Sequence, residues 1–208
     1  MPLYRYTSIG EPIAPFKEQL FSLTPFPAPN TPAITITGSV SLQNNLLSLH
    51  YSLEGSIEDV LLRPTPLNPS RKDGLWKGTC FEFFLAIKDQ PGYWEFNMSP
   101  SGDWNVYRMD DYRRIGFREE TAISQLPFGF KKELGRHLLD VFVDLSSLIQ
   151  PHDELQLAIT AVIQAKDGAE TYWALVHPAP YIDFHLRESF ILALAGQTHP
   201  SGQSARAG

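Results

Sequence analysis

The chain has a single cysteine, Cys80, in 208 residues. No internal disulfide framework can form, which is compatible with a reducing compartment. No apolar run approaches the roughly 20 residues needed to span a bilayer. The opening stretch MPLYRYTSIGEPIAPF lacks the basic region and apolar core of a secretion signal. These absences lead to the expectation of a cytoplasmic protein without membrane contact. Positive charge is scarce as well: the formal net charge is −6, and basic residues cluster only as the pairs Arg113–Arg114 and Lys131–Lys132. Attraction to a phosphate backbone needs a basic patch, so nucleic acid is excluded as a partner class.

Catalytic motifs are missing too. Ser99-Pro-Ser101-Gly102 is not the G-x-S-x-G elbow of a nucleophilic serine. Cys80 opens an apolar run, where an inert buried thiol is the default. Asp110 and Asp111 are adjacent, and neighbouring side chains on extended backbone point apart, so they do not form a shared acid–base site. There is no H-E-x-x-H, no CxxC and no glycine-rich phosphate loop. The expectation is a protein with no catalytic residues and no cofactor.

Aromatic residues, by contrast, are plentiful: 12% of the chain, with 13 Phe, 8 Tyr and 4 Trp. They suit pleated, half-buried surfaces and lean the reading towards sheet. Hydrophobic residues at 43% and charged residues at 19% are the profile of a folded domain of ordinary size.

The first 32 residues, rich in proline, read as an extended lead-in. Ala33–Ser41 and Leu47–Leu53 then alternate apolar and polar residues around Asn44–Asn45, predicting a hairpin. Cys80–Ile87, Tyr93–Met98 and Trp104–Met109, separated by tight turns, read as a meander. Arg118–Arg136 is irregular, and Leu138–Leu145 alternates again. Asp144 is placed to cap a helical turn over Leu145–Ile149. Leu155–Ile163 pairs with Thr171–Val176 through Asp167–Gly168, and Ser189–Ala195 is the last strand. With no amphipathic helix and no internal repeat, this predicts an all-β, antiparallel β-sandwich, immunoglobulin-like or jelly-roll-like, with few short helices. The expected domain is 1–196, followed by a disordered tail over 197–208.

Trp76 lies in a polar, glycine-flanked loop (DGLWKG) and either caps the core or offers a stacking face. Trp94, inside a strand with Tyr93 and Phe96, reads as core, whereas Trp104 could be part exposed and Trp173 fits either role. Glu82 stands out among the bulky residues of CFEFFLAI. It either faces solvent or is a semi-buried acceptor needing donors, such as sugar hydroxyls or Arg108. His177, Asp183, His185 and Glu188 form a weaker metal alternative, because Pro178 and Pro180 break any regular ligand spacing. A protein-interaction module built on exposed aromatics is the third reading.

The run LWKGTCFEFFLAIKDQPGYWEFNMSPSGDWNVYRMDDYR resembles the central block of the DOMON-like superfamily, to which the family 9 carbohydrate-binding modules belong. The shared features are a Trp six residues before a strand Glu, a Tyr-x-Glu-Phe-type strand, an S-P-S-G turn and a Trp…Tyr-Arg strand. The segment YWALVHPAPYIDFHLRESFILAL resembles the close of an intracellular bacterial DOMON-like group. In the sugar-binding modules two tryptophans sandwich a sugar while a carboxylate bonds its hydroxyls. The resemblance implies a non-catalytic domain binding a carbohydrate or sugar-like small ligand. Trp76 and Trp173 would be its sandwiching pair, Glu82 its carboxylate and Arg108 a further polar contact. Glu170 stands where those modules carry an amide. Other DOMON domains bind haem through a Met and a His, for which Met98 or Met109 with His177 or His185 would be the candidates.

Overall fold

The structure, a computed structural model, describes residues 18–113 and 117–195. The expected tail over 197–208 lies outside the described residues, as does most of the lead-in. Alternation drives the first half of the architecture. In β2 (Ile34–Gln43) and β3 (Leu46–Gly55), Ile36, Val40, Leu47, Leu49 and Leu53 are buried while Thr35 and Thr37 face out. Asn44 and Asn45 between them have φ of 49° and 62°. That is the conformation a two-residue type I′ hairpin requires of both central residues.

The second half is built on β4 (Cys80–Ile87), β5 (Tyr93–Met98) and β6 (Trp104–Met109), paired antiparallel in that order. Every residue of β5 is buried, as is every residue of β4 except Ile87. Strands covered on both faces lose the polar–apolar alternation of a half-buried sheet. The remaining strands are β1 (Gln19–Pro25), β7 (Arg118–Glu119), β8 (Phe128–Glu133), β9 (Arg136–Asp144), β10 (Glu154–Gln164), β11 (Glu170–Ala174) and β12 (Leu192–Ala195). They join one antiparallel sheet in the order β7-β6-β5-β4-β10-β11-β1-β2-β3-β9-β8, with β12 beside β10.

The sheet curls at β1. Gln19–Leu23 pair with β2, and Thr24 and Pro25 pair with Ala174 and Trp173 of β11. Its two halves then face each other across one apolar core that contains Ile36, Leu49 and Val141 from one side and Phe83, Phe96 and Ile159 from the other. The expected all-β sandwich is what forms. A second, smaller core lies on the far side of β4, where Phe84, Tyr93, Tyr107 and Met109 meet Phe184 and Phe190 from the loop before β12.

Three segments differ from the sequence reading. β1 lies in the proline-rich lead-in; its Pro25 sits at the strand end, where a missing N–H does least harm. Arg118–Arg136 contains β7, two exposed residues, and β8, an edge strand in which only Phe128, Phe130 and Glu133 are partly buried, so the patterning is weak. Ser189 closes a 3₁₀ turn (Arg187–Ser189), so the last strand begins only at Leu192. The turn after β9 forms as expected, with Asp144 Oδ1 accepting from the Ser146 N–H at 2.9 Å. No helix among the described residues is long and apolar enough to cross a membrane.

The two halves are also joined by a polar contact. Tyr51 of β3, 1% exposed, donates its hydroxyl to the Glu82 carbonyl of β4 at 2.7 Å. Tyr51→Phe keeps the ring and deletes this bond. Urea denaturation should show a loss of about 1 kcal/mol, whereas an unchanged midpoint would mean that the bond contributes nothing to joining the halves.

Candidate functional site

Strand alternation decides which side chains leave the main core. On β4, Phe81, Phe83 and Leu85 point into it, so Glu82 and Phe84 point to the opposite face. Register then aligns the neighbours. Glu82 pairs with Asn97, Phe84 with Glu95, and Glu95 with Tyr107. On the other side Glu82 pairs with Thr160, and Val162 pairs with Tyr172. Together they floor a cavity of about 370 Å³ lined by Glu82, Phe84, Glu95, Met109, Val162, Glu170 and Tyr172.

Three loops complete the wall. The first carries Trp76 and Lys77, the second Arg113 and Phe117, and the third runs from Ile182 to His185. Trp76 is half-buried and packs edge-on against Tyr107, with ring centroids 5.9 Å apart. Arg63 fixes its loop by donating to the Lys77 carbonyl at 2.7 Å. That contact needs Gly78, where a Cβ would lie 2.9 Å from the Arg63 guanidinium. The second and third loops are clasped together: Arg113 and Tyr112 bind the Asp183 carboxylate at 2.9 and 2.6 Å. This environment holds Asp183 below the usual carboxylate range despite its burial.

The floor is electrostatically unusual. Glu82 and Glu95 are only 2% and 7% exposed. Thr160 Oγ1 donates to Glu82 Oε2 at 3.3 Å, and Asn97 Nδ2 donates to Glu95 Oε1 at 2.7 Å. Among the described residues, Glu82 Oε1 has no hydrogen-bond partner. Burial, followed by the nearby Glu95 charge, pushes Glu82 up to about 8. Burial likewise pushes Glu95 up to about 7 against the opposing effects of Asn97 and Arg113. His185, whose Nδ1 lies 3.0 Å from the Tyr93 hydroxyl, is pushed down to about 4, by burial first and Arg113 second. At neutral pH this histidine is uncharged. The Cys80 thiol is also pushed up, by burial and then Glu82, which keeps it an unreactive neutral group.

Trp76, Glu82 and Glu170 therefore line one cavity. Two other expected contacts do not join them. Trp173 is 3% exposed in the main core, its indole N–H donating to Thr171 Oγ1 at 3.0 Å. It sits one residue out of phase with the cavity face, and Tyr172 takes the place expected of it. Arg108 is out of phase too: its guanidinium lies 4.0 Å over the Trp94 ring, away from Glu82. The arginine at the cavity is Arg113.

The same geometry does not bring the residues of the metal alternative together. His177 Nε2 bonds the Thr24 carbonyl at 2.8 Å, and Asp183 is committed to Arg113 and Tyr112. No group of three His, Cys, Asp or Glu side chains among the described residues is placed to hold a metal ion. Of the haem candidates, Met98 faces the main core and His177 does not line the cavity. Met109 and His185 do line it, but its volume is on the scale of a small ligand. Glu95, Tyr172 and Phe184 were not singled out from sequence. The tight turn between β4 and β5 is the signal that puts Glu95 on the Glu82 face.

No family model and no curated relative matches the sequence. Among solved structures, the chain is similar to a "putative carbohydrate-binding protein" from Bacteroides uniformis ATCC 8492. The TM-score is 0.61 at 13% identity, over 85% of each chain. It is also similar to a family 9 carbohydrate-binding module from Caldicellulosiruptor kristjanssonii, solved in complexes with cellotriose and with glucose. Those matches have TM-scores of 0.49 and 0.48 at 12% identity, covering 85% of this chain and 83% of the module. At such identities the likeness is one of fold.

The buried carboxyls set a pH dependence. A carboxyl whose folded pKa is raised from 4.5 to about 8 binds its proton more tightly in the folded state. Its stabilising contribution is full at low pH and is lost as pH rises through the folded value. Melting temperature should fall between about pH 5 and about pH 8, and Glu82→Gln, which cannot ionise, should flatten the decline. A decline equally steep in the variant would place its origin elsewhere.

Proposed function

We propose that the protein is a non-catalytic, DOMON-like binding domain that takes a carbohydrate or sugar-like small ligand in the cavity beneath Trp76. One observation carries this reading: a half-buried indole overhangs a small cavity whose floor presents buried polar groups among aromatic rings. Apolar walls with a few convergent polar groups are the usual make-up of a small-ligand site. Trp76 would stack on the ligand, with Tyr172 as the second aromatic surface. Glu82, Glu95 and Glu170 would bond its polar groups. The fold likeness to the Bacteroides protein supports the same reading. A cytoplasmic location fits a chain with one unpaired cysteine.

Stacking and a few hydrogen bonds would give dissociation constants of about micromolar to millimolar. The expected result is a tryptophan fluorescence change on titration with at least one member of a monosaccharide, disaccharide and nucleotide-sugar panel. Trp94 and Trp173 are each 3% exposed and Trp104 lies under Arg71 away from the cavity, so Trp76 should dominate the ligand-dependent signal. Trp76→Ala should remove it and weaken binding measured by calorimetry by about tenfold, or about 1.4 kcal/mol, with the circular dichroism spectrum unchanged. A panel silent in both fluorescence and calorimetry would sink the proposal.

A further inference from the structure

The acidic and basic groups around the cavity do not balance, and the imbalance indicates what kind of group completes it. Four acidic side chains line the cavity against two basic ones, Lys77 and Arg113. Arg113 and Asp183 neutralise each other in their ion pair. Glu170 shares one oxygen with the Tyr172 hydroxyl at 3.0 Å, and Lys77 is exposed on the rim. The deep floor therefore holds two carboxyls, Glu82 and Glu95, with no basic group beneath them. The Glu82 oxygen Oε1 is fully buried and bonded to nothing among the described residues.

We propose that the ligand carries a positively charged nitrogen seated against Glu82 Oε1. This rests on the sugar-site reading of the same cavity, and within that reading the ligand is an amino sugar. An ammonium donates to the orphan oxygen and offsets the repulsion between the two acids, which a hydroxyl cannot do. The aromatic surround strengthens the case. Trp76, Phe84, Tyr172 and Phe184 line the same cavity, and ring faces attract a desolvated cation.

Other ionisable groups do not supply this charge from within. On β4 the neighbour is the neutral Cys80 thiol, and on β5 Asn97 is uncharged. β6 contributes Tyr107, whose hydroxyl donates to Asp73 at 2.6 Å, and β10 contributes Thr160. From the loops, Asp73 adds negative charge near Glu95, and His185 is neutral above about pH 4.

When the ammonium docks, the Glu82 carboxyl gives its proton to the buffer and remains as carboxylate paired with the cation. Isothermal titration at neutral pH, in two buffers of different ionisation heat, reads this directly. Glucosamine should bind at least about tenfold more tightly than glucose or N-acetylglucosamine, with protons released. Glu82→Gln, isosteric with the neutral acid, should abolish both the preference and the release; Glu95→Gln should keep the preference in reduced form. Glucose binding as tightly as glucosamine would overturn the inference and leave the sugar reading standing. Cyclohexylamine binding with proton release, while every sugar fails, would support the charge inference and remove the sugar. No binding by any of these probes would overturn both.

Discussion

A strand that carries apolar side chains on both faces must be covered twice, and β4 imposes that requirement on the whole molecule. Phe81, Phe83 and Leu85 need a cover on one side, which the sheet supplies by curling at β1 until β2, β3 and β9 lie opposite. Phe84 and Ala86 need another on the reverse side, where the described residues form no second sheet. Loops take that role: the Trp76 loop and the segment carrying Phe184 and Phe190 close over the reverse face. A loop cover closes less completely than a sheet, because its own backbone groups must be satisfied locally. The cavity is the space that such a cover leaves.

Within that space the floor is polar at a cost. Desolvating a carboxyl is expensive, and the neighbouring Glu82 and Glu95 add mutual repulsion if both ionise. Apolar residues at both positions would have continued the surrounding pattern of Phe84, Tyr93 and Met109 without that cost. Burial instead favours the neutral form of both acids, and Thr160 and Asn97 each bond one of their oxygens. Departures of this kind from local consistency concentrate at functional sites. The unbonded Oε1 is where the departure is greatest.

Much of this was legible in the sequence, and the failures follow from phase. Strand positions were readable wherever one face is solvated, as in β2 and β3, or wherever strong turns bound an apolar run, as in β4 to β6. Edge strands β7 and β8 were not: β7 is two exposed residues, and β8 buries only Phe128 and Phe130 partly before a charged run. At the site, Glu82 was conspicuous as one acid in a run of phenylalanine. Its partner Glu95 was not, since YWEFNM shows no contrast between its two faces until the β4–β5 register is known. The Trp173 error has the same origin: residues 172 and 173 are both aromatic, and composition cannot say which faces in. The β10 register decides it by pairing Val162 with Tyr172 on the cavity side.

The floor and the rim of the cavity are held by different forces, and this bears on what a shared fold can convey. The floor residues sit on hydrogen-bonded strands whose other face is the main core, so their positions are fixed by the same packing that fixes the fold. The rim is held by a few polar contacts: Arg63 on the Lys77 carbonyl, and Arg113 and Tyr112 on Asp183. Such contacts can be exchanged without disturbing the sheet, and loops tolerate change far better than strands do. A chain sharing the architecture at 13% identity can therefore keep the basin and present a different rim. The floor chemistry, two acids facing a small aromatic cavity, is the more informative guide to what this cavity could accept. It is a property of Glu82 and Glu95 themselves, which no likeness of fold would transmit.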